Sequence, residues 1–89
     1  MLGQKISQAE GDSLKDRYQK NNPGKPKAVI FDRATFERVL GHKNTHYVAI
    51  FFGETEDGTN TVVITGYDKN NNAISETTQN RGGPCPPYC

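Results

Sequence analysis

Apolar residues are not spread evenly along this chain. Most fall between Ala28 and Tyr67, and the flanking segments are dominated by polar residues, glycine and proline. Within the central block the spacing changes period several times. "KAVIF", Lys27 to Phe31, is a short apolar run and predicts a buried strand. Asp32 is placed to cap a helix in which Phe36, Val39 and Leu40 recur at i, i+3 and i+4. Gly41 is placed to end that helix in the left-handed conformation that glycine accepts. "HYVAIFF", His46 to Phe52, is apolar on both strand faces and predicts a central strand. "TVVITGY", Thr61 to Tyr67, is rich in β-branched residues and predicts the return strand. Between them, "ETEDGTN" carries Asp57-Gly58, which is hairpin turn chemistry rather than a calcium loop, because it lacks the twelve-residue ligand pattern. Tyr47, Phe51, Phe52 and Tyr67 all fall at strand positions and are expected in the core.

Before this block, "SQAE", Ser7 to Glu10, fits a capping box and predicts a helix from about Gln8 to Lys20, with Leu14 and Tyr18 one turn apart on one face. "NNPGKP" ends it, since a residue before proline avoids helical angles. After the block, "DKNNN" reads as a polar turn and "AISET" as a short edge strand. From Gln79 onward there is no periodicity. The order is α-β-α-β-β with "AISET" as a fourth strand: an α+β domain of two helices on a small, mostly antiparallel sheet. Residues 1–78 form the domain, and residues 79–89 form an irregular Gly/Pro/Cys tail.

Composition narrows the function. Only 33% of the 89 residues are hydrophobic and there is no tryptophan. Mean hydropathy is −0.80, so stability is expected to be marginal. Eleven basic residues against ten acidic ones leave a net charge of +1. That balance offers neither the basic stripe of a nucleic-acid binder nor a polybasic membrane anchor. The first residues lack the apolar run of a signal peptide, and no window has the length of a membrane helix, so the expected location is cytoplasmic.

The tail departs from this plain reading. "RGGPCPPYC", Arg81 to Cys89, holds both cysteines of the chain and three of its five prolines. Each proline fixes φ and lacks an N–H, so Pro86, Pro87 and Tyr88 restrict how Cys85 and Cys89 are held. A stiff dithiol has three uses. It can close a ring, which an extended polyproline path forbids and a cis X-Pro bond favours, because bridged Cα atoms lie within about 7 Å. It can grip a metal: His42 and His46, spaced H-x3-H, would complete a Cys2His2 zinc set with Cys85 and Cys89. Or it can present sulfur to an enzyme, with Gly82 and Gly83 as a flexible joint, as in precursors of modified peptides.

The pieces "NNPGKPKAVIF", "FERVL", "EDGTNTVVITGYD" and "CPPYC" together resemble a group of short bacterial proteins that share this layout and close on C-P-P-aromatic-C. The resemblance implies the α+β fold and the tail as a unit; it implies no activity, since none is established for that group.

The reading that results is a non-catalytic scaffold presenting its CPPYC tail to a partner protein or modifying enzyme, without cofactor. The alternatives are a fold-back of the tail, either structural or as the zinc site, and a plain protein-interaction domain. In the fold-back, Tyr88 is the expected anchor.

Overall fold

Helix α1 (Gln8–Asn21) begins where the Ser7 hydroxyl accepts the Glu10 amide at 3.0 Å. The computed structural model describes residues 2–88. The remaining elements are β1 (Ala28–Ile30), α2 (Arg33–Leu40), β2 (Tyr47–Glu54), β3 (Asn60–Tyr67), β4 (Ala73–Gln79) and β5 (Gly83–Cys85). The fold is α+β, as the spacing predicts. All strand pairs are antiparallel, but they form two sheets instead of one: β2-β3-β4, and a two-stranded β1-β5.

The helices differ in what they bury. The α2 stripe of Thr35 and Val39 is buried and packs on β3 and β4. Helix α1 buries no residue, and Leu14 and Tyr18 remain exposed. Its tie to the sheet is a polar one, Asn60 Nδ2 donating to the Tyr18 hydroxyl at 3.4 Å. Gly41 does stop α2, but with φ −76° and ψ −13°, so it ends the helix without left-handed angles; its N–H donates to the Glu37 carbonyl at 2.7 Å.

Strand β2 is an edge, not the centre. β3 occupies the middle because it pairs with β2 on one side and β4 on the other. The β2–β3 register is unbroken from Tyr47↔Tyr67 to Glu54↔Asn60, and Gly58 supplies the left-handed φ of 86° that the Asp57-Gly58 turn requires. Phe52, expected in the core, is 96% exposed, and Tyr47 and Phe51 are also exposed.

The apolar interior is accordingly small. Its hydrophobic members are Val39, Ile64 and Cys85, joined by buried Thr35, Thr65 and Thr77. Threonine hydroxyls carry the polar load inside. Thr45 Oγ1 donates to the Val39 carbonyl at 2.7 Å. Thr77 Oγ1 accepts the Gly66 amide at 2.8 Å and donates to the Ile74 carbonyl at 2.6 Å. These last two bonds sit where the β3–β4 register slips between Ile64 and Gly66, so one side chain satisfies backbone groups that the bulge takes out of the ladder. At Gly66 a Cβ would lie 2.9 Å from Thr45 Oγ1 and 3.1 Å from Thr77 Oγ1, which fixes glycine at this close approach.

Two predictions follow from this framework. Thr77→Val keeps the volume but leaves the Gly66 N–H without its acceptor, at a cost of about 1–3 kcal/mol. Thermal denaturation should register it as a melting temperature lower by roughly 4–8 °C for each kcal/mol; an unchanged curve would refute the role given to the hydroxyl. The second concerns Asp68, whose carboxylate accepts the Asn70 and Asn72 amides at 2.9 Å each in the β3–β4 turn. The bond from the Asn72 amide is the main cause that holds its pKa below the ordinary 3.8. A depressed folded-state pKa contributes stability that is complete above the unfolded value and is lost as pH falls through the lower folded one. An NMR titration of the Asp68 carboxyl should therefore show a midpoint under 3.8; a midpoint at or above that value would contradict the bonding.

Candidate functional site

The C-terminal segment is strand-paired where the sequence predicts an irregular tail. Ile30, Val29 and Ala28 of β1 face Gly83, Pro84 and Cys85 of β5, and the Lys27 amide donates to the Cys85 carbonyl at 2.6 Å. The chain gets there through Arg81, whose φ of 65° turns it out of β4. Asn80 fastens the turn by donating through Nδ2 to the Val62 carbonyl at 2.7 Å. β4 runs through Gln79, so the chain leaves the sheet for only a few residues before it pairs again.

Gly82 and Gly83 are packed, not open. A Cβ on Gly82 would lie 2.6 Å from Val29 Cγ1 and 2.7 Å from Phe31 Cζ. A Cβ on Gly83 would lie 2.6 Å from Tyr88 Cγ. The Tyr88 ring therefore lies flat against the Gly83 backbone, and glycine is needed because the space of a side chain is already filled. The expected flexible joint is a pair of close contacts. Tyr88, expected to bury its ring, instead meets a glycine surface and stays 67% exposed.

Cys85 is 6% exposed and disulfide-bonded. The chain holds one other cysteine, Cys89, which lies outside the described residues. The Cys85–Pro86 and Pro86–Pro87 peptide bonds are both cis. The segment turns back on itself, since the Tyr88 amide donates to the Pro84 carbonyl at 3.0 Å. Pro86 and Pro87 are exposed on that turn. Beside it is an open groove of about 330 Å³ lined by Ile30, Phe31, Asp32, Arg81, Pro84 and Tyr88, among others.

The histidines sit elsewhere. His42 follows α2, with Nδ1 accepting the Asn44 amide at 3.2 Å and Nε2 lying 3.5 Å from Glu76 Oε1 of β4. His46 precedes β2 and stands edge-on to Tyr47, with ring centroids 4.7 Å apart. Among the described residues no group of three or more His, Cys, Asp or Glu side chains converges as metal ligands would. Asp57 in the β2–β3 hairpin accepts from the Thr55 hydroxyl, the chief cause of its lowered pKa. That is the bonding of a turn.

Sequence reading missed Phe31, Val29 and Asn80 as the floor and clasp of the tail. The available signal was the five-residue spacing from Gly83 to Tyr88, which lets an aromatic ring cover a glycine once the intervening prolines turn. Comparison of the chain with family models, curated proteins and solved structures finds no match.

The contacts at Gly83 make a direct prediction. Gly83→Ala must push the Tyr88 ring away, costing about 1–3 kcal/mol as overpacking does. Deleting residues 84–89 removes the β5 pairing altogether and should lower the melting temperature further. Retention of the wild-type melting curve by both variants, with sharp mobile NMR signals for Tyr88 in the wild type, would rule out the docked tail.

Proposed function

We propose that this chain is a non-catalytic interaction domain that presents its CPPYC segment to a partner protein or modifying enzyme as a fixed knob. The observation that carries the reading is the contrast at the tail. Cys85 is buried and bonded, whereas the next three residues, Pro86, Pro87 and Tyr88, are exposed. A segment pinned by β1 and by its own turn has little conformational freedom left to lose when a partner grips it. The exposed groups are two prolines and a tyrosine ring with its hydroxyl free to donate, the kind of amphipathic surface that anchors recognition. The groove beside Tyr88, lined by Phe31, Asp32 and Arg81 among others, gives a partner a place to enter.

In this reading the sulfur of Cys85 serves as a clasp rather than as an exposed thiol. No helix among the described residues is long and apolar enough to cross a membrane. The cytoplasmic location expected from the N-terminus then requires a disulfide that withstands the reducing thiol pool.

The test joins mass and binding. Protein taken from its native cell after thiol trapping should be two hydrogens lighter than the reduced chain, with an unmodified tail. A photoreactive residue at position 88 should cross-link a partner, and Tyr88→Ala should weaken that complex by about 2 kcal/mol or more, roughly thirtyfold. A cleaved or covalently enlarged tail would replace this reading with that of a modified-peptide precursor. Trapped free thiols and no cross-link would end both.

A further inference from the structure

The two edges of the three-stranded sheet are built differently. β4 breaks its register with β3 between Ile64 and Gly66 and exposes Ser75, Glu76 and Thr78. A bulge and a charge are devices by which an edge avoids pairing with another chain. β2 has no break in register, no lysine and no proline, and its one charge, Glu54, is its last residue. It keeps one register over eight residues, "YVAIFFGE", and its apolar side chains stand on both faces.

Helix α2 leaves β2 uncovered. Arg38 Nε donates to Gln79 Oε1 at 3.2 Å, and His42 lies beside Glu76, so this flank of the helix leans on β4. Val39 is buried beneath the helix, and the opposite flank carries Phe36 and Leu40, both exposed. Val48, Ile50 and Phe52 of β2 are exposed as well, Ile50 to 55%.

The missing cover has a size. The chain exposes 7206 Å², whereas a monomer of its 9.9 kDa is expected to expose about 5,200 Å². Its radius of gyration is 14.6 Å against about 12 Å for a compact chain of this length. Helix α1 and the exposed segment before it account for part of this surplus of about 2,000 Å², which leaves room for the roughly 800 Å² that each partner contributes to a standard stable interface.

We propose that β2 is the seam of a homodimer, in which two copies pair antiparallel about a two-fold axis at Ile50. The backbone fixes which residues can pair. The Thr55 amide donates to the Thr59 carbonyl at 2.9 Å, continuing the β2–β3 register by one step. By alternation, odd-numbered residues of β2 turn their backbone groups toward β3, and even-numbered residues turn theirs outward. A second β2 must therefore set even opposite even, which leaves axes at Ile50 or Phe51 for a centred pairing.

Side-chain chemistry separates the two. With the axis at Ile50, that residue meets its own copy, Val48 meets Phe52, Ala49 meets Phe51 and Tyr47 meets Gly53; His46 lies before the strand, with its amide donating to the Tyr67 carbonyl at 2.7 Å. Every pair on the Val48–Ile50–Phe52 face is then apolar, and Phe52 against Val48 is an aromatic–β-branched combination that stabilises a sheet. With the axis at Phe51, Val48 instead faces the Glu54 carboxylate, which sets a charge into the apolar stripe. The Ile50 axis also joins the bare Val48–Ile50–Phe52 stripes of both copies into one apolar face. The pairing is isologous and closed, and the six-stranded sheet it forms ends on the two protected β4 edges.

Sedimentation equilibrium tests this on the intact chain. The wild type should run at twice its 9.9 kDa mass at micromolar concentration. Ile50→Lys sets two ammonium groups face to face on the axis and should raise the dissociation constant by roughly a hundredfold or more. Phe52→Lys, at a side chain that already stands in solvent, should do the same and keeps the test decisive if Ile50→Lys does not fold. Under mild oxidation Ile50→Cys should give a covalent dimer and Phe51→Cys should not. Tyr88→Ala should leave the mass at that of the dimer, which separates this interface from the tail. A wild type at the mass of one chain, a dimer indifferent to lysine at both positions, or cross-linking that favours Phe51→Cys would each overturn the proposal.

Discussion

A shortage of apolar cover governs this structure. One short helix, α2, is the element packed most closely on the three-stranded sheet among the described residues, and it reaches β3 and β4. The two apolar side chains taken fully out of water are Val39 of that helix and Ile64 of the central strand. Burying two such groups is worth only a few kcal/mol, about 1.5–3 each, so polar bonding must supply specificity where packing is thin. The threonines do this work. Thr77 ties a bulge, Thr45 ties the end of α2, and the described residues contain no buried side-chain nitrogen or oxygen without a partner.

How far the fold could be read from the residues depended on whether the deciding interaction was local. Ser7 capping α1, the Phe36–Val39–Leu40 spacing and the Asp57-Gly58 turn each act within a few positions, and each lies where the pattern placed it. The mistakes share a different origin. "HYVAIFF" has the two-faced hydrophobicity of a central strand, yet the same composition also suits an edge awaiting a second chain. No local signal separates the two. α1 has a short apolar stripe, but whether a stripe finds a surface is a tertiary fact, and here it does not.

The tail shows the same limit from the other direction. Glycine and proline read locally as flexibility and punctuation, and "RGG" accordingly looks like a joint. The structure uses those residues for the opposite purpose: Gly82 is small because Val29 and Phe31 occupy its side-chain space, and Gly83 because Tyr88 does. The stiffness that the prolines impose was legible in the residues, but the ring of Tyr88 was expected to be buried and is exposed. The tail's pairing with β1, about fifty residues away in the chain, was not legible, since three residues containing a proline carry no strand signal of their own.

Pairing with β1 also turns the length of the connection into information. Side chains alternate along β5, so Cys85 faces the interior because of where Gly83 is set opposite Ile30. A one-residue slip of this pairing, which a change in the length of the short Gln79–Gly83 connection can force, would move the alternation by a step and carry the sulfur to the outer face. Point substitutions at exposed Asn80 or Arg81 would change a clasp or a turn and leave that parity alone. The tail thus tolerates changes of spelling but not changes of count. Among related chains, the spacing from β4 to the cysteine is the quantity that should stay fixed wherever the sulfur must stay dry.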